Sequence, residues 1–162
     1  MRESLGTIEF AAGSLTVTDP CYDEGDNGIA VVENAFKGEW EAFVEIVAPR
    51  SVAALEVKAV GQVAVRTKKL PERISVDAGV CGVFERKPNY VYDCEKGIDE
   101  WGQVCDAMGW RSYGLADKAS AFRCVGAWSS SGCGDGECDA YVSYDANGEA
   151  VGIRIEYLAN AD

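Results

Sequence analysis

A chain of 162 residues with 48% hydrophobic and 26% charged side chains and only four prolines has the size and composition of one folded domain, which excludes a disordered or fibrous protein. Its 27 acidic against 15 basic side chains leave a formal charge of −12, which opposes long-range attraction to nucleic-acid phosphates or to anionic membranes. There is no histidine, no apolar run near the roughly 20 residues of a membrane span, and no apolar core in Met1-Arg2-Glu3-Ser4-Leu5-Gly6 to mark a signal peptide. The expectation is a cytoplasmic protein, ordered as a single domain over residues 1–162.

Short runs rich in β-branched residues, separated by Gly, Asp and Asn, dominate the chain and predict strands. Thr7-Ile8-Glu9-Phe10 and Ser14-Leu15-Thr16-Val17-Thr18, joined across Ala11-Ala12-Gly13, read as an opening hairpin. After the turn-rich residues 23–28, Ile29-Ala30-Val31-Val32 and the alternating run 41–47 read as a second hairpin. Residues 52–60 and 62–67 are two further strands, and residues 74–84 continue the sheet through a Gly-punctuated segment. One main helix is predicted at about 97–108, where Ile98, Trp101, Val104, Cys105 and Met108 recur at mostly helical spacing, Asp99 and Glu100 favour the first turn, and Gly109 closes the last. The last third carries the clearest strand signal. Ala140-Tyr141-Val142-Ser143-Tyr144 and residues 151–157 flank Asn147-Gly148, a hairpin cue because both residues accept positive φ. Alternation puts Val151, Ile153, Ile155 and Tyr157 in the core and Arg154 and Glu156 in water. The fold class is all-β to α+β: a mainly antiparallel β-sandwich or curved sheet with one main helix.

Charge is unevenly spread. Residues 19–45 hold eight acids against Lys37, and residues 133–162 hold seven against Arg154. Between them Arg50, Lys58, Arg66, Lys68, Lys69 and Arg73 face only Glu56 and Glu72, which predicts a basic patch within an acidic surface. The densest acids on predicted loops are Asp23, Glu24 and Asp26, and Glu137 and Asp139. Tyr90, Tyr92, Trp110 and Tyr113 are the aromatics expected at a partner surface, while Trp101 and Trp128 are assigned to the core. Seven cysteines without a C-x-x-C pair predict buried, reduced thiols rather than a disulfide framework or a zinc site, and Cys21, after a proline, is the best candidate for a reactive thiol against the plainer reading of a buried one.

Three segments stand out: Thr18-Asp19-Pro20-Cys21-Tyr22, Val76-Asp77-Ala78-Gly79 and residues 129–136, Ser-Ser-Ser-Gly-Cys-Gly-Asp-Gly. In that order, from about Gly13 to Tyr157, they resemble an uncharacterised family of small bacterial and phage proteins, although that family often carries an aromatic residue where Cys133 sits and a Tyr near Cys138. The resemblance implies a shared architecture and a mobile-element setting. The last segment lacks the Lys-Ser/Thr and following helix of a phosphate loop. Asp19, Asp77 and Asp135 each end or interrupt a strand, where Asp serves first as a turn former and where a scaffold can also place functional groups, and the three segments are expected to meet on one rim.

Two functions follow as expectations. The first is an acidic, non-enzymatic binding protein without a cofactor: a phage- or mobile-element-encoded inhibitor that occupies a basic nucleic-acid-binding surface of a host protein through Asp23, Glu24, Asp26, Glu137, Asp139, Trp110 and Tyr113. It binds neither nucleic acid nor membrane directly. The alternative is a small metal-dependent enzyme or ligand-sequestering protein whose site is built from Asp19, Cys21, Asp77, Ser131 and Asp135, with the metal left open.

Overall fold

The computed structural model describes residues 1–132 and 134–158. In chain order the strands are β1 (Arg2–Phe10), β2 (Ser14–Thr18), β3 (Ala30–Glu33), β4 (Gly38–Ala48), β5 (Ser51–Ala59), β6 (Arg66–Lys69), β7 (Ile74–Val76), β8 (Val80–Glu85), β9 (Tyr92–Asp93) and β10 (Ile98–Asp99). The helix α1 (Glu100–Met108) follows, then β11 (Tyr113–Ala116), β12 (Val125–Ser130), β13 (Gly136–Tyr144) and β14 (Ala150–Glu156). No helix among the described residues is long and apolar enough to cross a membrane.

A large sheet runs β1-β4-β5-β14-β13-β6, with β7 pairing to the first half of β13, and a smaller sheet runs β11-β12-β8-β2-β3. Every ladder between these strands is antiparallel. Alternate residues of both sheets meet in one core: Trp40, Ala42, Val44, Leu55, Val57, Ile153 and Ile155 from the large sheet face Leu15, Val17, Cys81, Val83 and Ala127 from the small one. The predicted sandwich is thus the observed architecture, because period-two alternation leaves each sheet one apolar face and the two faces cover each other.

Both early hairpins are corrected. β1 pairs with β4, whereas β2 pairs with β3 and β8, so residues 11–13 carry the chain from the large sheet to the small one. Ile8 and Phe10 then enter the core from one side and Leu15 and Val17 from the other. Likewise β3 stays in the small sheet while β4 pairs with β1 and β5. The terminal hairpin forms as predicted, and Val151, Ile153, Ile155 and Tyr157 are buried. Its turn differs: only Gly148 adopts positive φ, and the Asp145 carboxylate closes the loop by accepting from the amides of Asn147 and Glu149, both at 2.9 Å.

The helix is shorter than predicted. Ile98 and Asp99 pair with Tyr92 and Asp93, and Asp99 caps the helix, its Oδ1 accepting from Gly102 N at 2.8 Å. Val104 and Met108 bury against Phe84, Phe122 and Trp128 on the outer face of the small sheet, which forms a second apolar cluster. Trp128 is therefore buried as expected, but beneath the helix layer, and Trp101 packs at the margin of that cluster. Cys105, assigned to the apolar stripe, faces solvent.

Candidate functional site

Asp19 follows β2 directly and is completely buried. Its Oδ1 accepts from Cys21 N at 2.8 Å, and its Oδ2 accepts from the amides of Asp77 and Ala78 at 2.8 and 2.7 Å. Tyr22 N also donates to the Asp19 carbonyl at 3.1 Å. The carboxylate thus fastens the Asp-Pro-Cys-Tyr turn to the Val-Asp-Ala-Gly turn. The next link is Ser131 N, which donates to the Gly79 carbonyl at 2.9 Å, while the buried Ser131 hydroxyl donates to the Gly134 carbonyl and closes its own loop. Val76 pairs with Gly136, so Asp77 and Asp135 are the next residues of the two segments past the end of that ladder. The three segments meet on one rim, as expected.

What they build is a joint. The Asp19 oxygens are taken up by three backbone amides, and among the described residues no three His, Cys, Asp or Glu side chains gather closely enough to hold a metal ion. Asp77 and Asp135 are exposed. Burial first, then the Asp19 carboxylate, pushes the Cys21 thiol up to about 12, the opposite of an activated nucleophile. Cys133 lies outside the described residues.

Thiol chemistry offers a direct check. The six described cysteines are free, with Cys94 and Cys105 exposed and Cys81, Cys124 and Cys138 buried. In the native protein at neutral pH, Cys94 and Cys105 are expected to alkylate first, Cys21 slowly and faster as pH rises, and the buried three only on unfolding, as read by mass spectrometry of the labelled peptides. Prompt labelling of Cys21 at neutral pH would restore it as a reactive thiol.

The joint holds up an acidic loop. Residues 23–26 are exposed, yet the loop is tied down: Asp23 N donates to Asp26 Oδ2 at 2.8 Å, and Glu24 N donates to Asn89 Oδ1 at 2.9 Å. None of Asp23, Glu24, Asp26 and Asp77 forms an ion pair among the described residues. Beside the loop lies a cleft of about 60 Å³ between Tyr22, Ile29, Val31 and Thr16, with Lys87 at its edge. Burial pushes the Lys87 ammonium down, Asp23 partly offsetting it. Burial and then the neighbouring Asp77 carboxylate push the Tyr22 phenol up. Sequence reasoning missed Tyr22, Val31 and Lys87 as neighbours of the acids. The signals were Tyr22 next to Asp23 at the end of the Asp-Pro-Cys-Tyr segment, and Val31, which alternation with Ala30 and Val32 turns outward on β3, the strand on which the small sheet ends.

The second acidic cluster is corrected. Glu137 and Asp139 lie on β13, not on a loop, and the basic stretch is laid against them. Lys69 Nζ reaches Asp139 at 2.8 Å, and Arg73 reaches Glu137 at 3.0 Å and Asp139 at 3.3 Å. Of the predicted basic patch, Lys69 and Arg73 thus neutralise these acids, while Lys58 pairs with Glu56. Among the aromatics, Trp110 is 92% exposed and Tyr92 is exposed. Tyr90 is instead half-buried, its hydroxyl donating to the Phe122 carbonyl at 2.9 Å, and the Tyr113 hydroxyl donates to Glu3 Oε2 at 2.9 Å. Neither a protein-family model, nor a curated protein, nor a solved structure matches the chain.

Proposed function

We propose that this chain is a non-enzymatic binding protein that offers the acidic loop of residues 23–26 to a basic surface on a protein partner. In the mobile-element setting implied by its motifs, it acts as an inhibitor covering a nucleic-acid-binding surface of a host protein. The observation that supports this reading is the loop itself, which is tied down through the Asp23 and Glu24 amides and the Asp26 carboxylate, while none of its three acids forms an ion pair among the described residues. A rigid, unneutralised anionic edge loses little entropy on meeting a cationic surface and steers the encounter. Glu137 and Asp139 drop out of the binding surface because their charge is already spent on Lys69 and Arg73.

The test is a triple reversal, Asp23→Lys with Glu24→Lys and Asp26→Lys, beside Glu137→Gln as a control. Partner proteins captured from a host lysate should be lost by the triple variant and kept by the control. Measured against the purified partner, the triple variant should bind about tenfold or more weakly at low salt. That gap should narrow as screening shortens to about 8 Å at physiological ionic strength. A folded triple variant that retains the same partner with the same salt dependence would overturn the proposal.

A further inference from the structure

The outer face of the large sheet holds a second feature, separate from the acidic loop. A solvent-facing sheet surface normally carries a continuous row of side chains, but here the outward position at the centre of β14 is Gly152. It is flanked by Ser143 on β13 and Lys58 on β5, and it is buried although it points away from the core. A Cβ at Gly152 would sit 3.2 Å from the Ser143 Cβ, so the floor is low because the residue is glycine. On one side the segment joining β5 to β6 rises over this floor with Gln62 and Ala64, and the result is a groove of about 510 Å³. That lies within the usual range for small-molecule sites.

The groove's chemistry narrows its occupant. Its charged walls are two carboxylates, Glu56 and Glu156, and two cations, Lys58 and Arg154. Each is already held. Arg154 forms a two-point pair with Glu45 at 2.8 and 2.9 Å and bonds Glu156 at 3.0 Å, while Glu56 takes Arg2 at 2.8 Å and Lys58 at 3.4 Å. The hydroxyls of Thr67 and Ser143 bond each other at 2.8 Å beside the floor, and Tyr141 stands across the ladder from Arg154. A charged ligand would gain no net field here and would have to break pairs to be bound. A neutral ligand rich in hydroxyls would not, because paired carboxylates still have free lone pairs and charge-assisted hydrogen bonds are about twice as strong as neutral ones. An aromatic ring at the side supplies the apolar contact that the C–H faces of a sugar require. We infer that this groove is a binding site for a short neutral oligosaccharide, with Glu56, Arg154 and Glu156 contacting hydroxyls and Tyr141 packing on a sugar ring.

The test is an NMR titration of the ¹⁵N-labelled chain with neutral trisaccharides of glucose, mannose, galactose and N-acetylglucosamine, and with trigalacturonate as the anionic comparator. At least one neutral sugar should shift amides of residues 56–58, 141–143 and 152–156 with a dissociation constant tighter than about 1 mM. The affinity should not change with salt, unlike that of the acidic loop for a basic partner. Tyr141→Ala should weaken it by about tenfold or more, and so should Gly152→Ala, which raises the floor. If the glycine variant does not fold, the tyrosine variant alone carries the test, because its ring lies on the surface of a paired strand. No neutral sugar reaching that affinity, shifts confined to other residues, preference for trigalacturonate, or an unaltered affinity in Tyr141→Ala would each overturn the inference.

Discussion

An Asp19→Ala variant is expected to lose about 3–5 kcal/mol of stability, because hydrogen bonds to a charged group contribute about 1.5–3 kcal/mol each and buried amides left without a partner cost more than the bonds alone. Three amides are left behind at once, those of Cys21, Asp77 and Ala78, at a residue with no solvent exposure to compensate them. For a chain of this length the loss corresponds to a fall in Tm of about 6–20 °C. Asp19→Asn should recover only part of it: whichever way the amide turns, its NH₂ group meets a backbone N–H where the carboxylate had an acceptor. Urea unfolding of both variants decides the matter. Wild-type stability in Asp19→Ala would mean that the carboxylate is dispensable to the joint, and the functional reading of Asp19 would reopen.

Gly132→Ala is the second large effect. The backbone there has a φ of 70°, and a Cβ would lie 2.0 Å from the Val52 carbonyl oxygen on β5. The left-handed conformation costs an alanine about 1–2 kcal/mol, and the collision adds roughly 1–3 kcal/mol as strand or loop gives way. Gly134→Ala provides the comparison within the same motif. Its φ of 84° is similar, but nothing lies within 4 Å of the added Cβ, so only the conformational cost of about 1–2 kcal/mol applies. Thermal unfolding should therefore rank wild type above Gly134→Ala and both well above Gly132→Ala. Equal losses in the two variants would show that the motif glycine serves the turn and not the close approach to β5.

These two effects give the motifs a physical meaning that their residue types alone left open. Asp, Cys, Ser and Gly near strand ends are as apt for a metal or phosphate site as for a turn. The choice turns on where their lone pairs and amides point, and those directions depend on segments about 58 residues apart. The acidic clusters show the same dependence. Residues 23–26 and residues 137–139 read alike in sequence, yet only the second lies within reach of Lys69 and Arg73, because β6 and β7 both pair with β13. The groove at Gly152 was invisible in the same way: a glycine in a strand reads as a weakness until its neighbours on both sides are known.

Local pattern by itself determined the strand-rich class, the inward set on β14, the terminal hairpin and the helix, because each rests on side-chain period or on a turn residue within a few positions. Only the tertiary structure decided that β1 and β2 belong to different sheets, that the helix covers the small sheet, which acids stay unpaired, and that Asp19 is a fastener. Each of those is a partnership between residues far apart in the chain. No local preference encodes it, since the free energy that selects it comes from burying two apolar faces against each other and from satisfying the polar groups that this burial encloses.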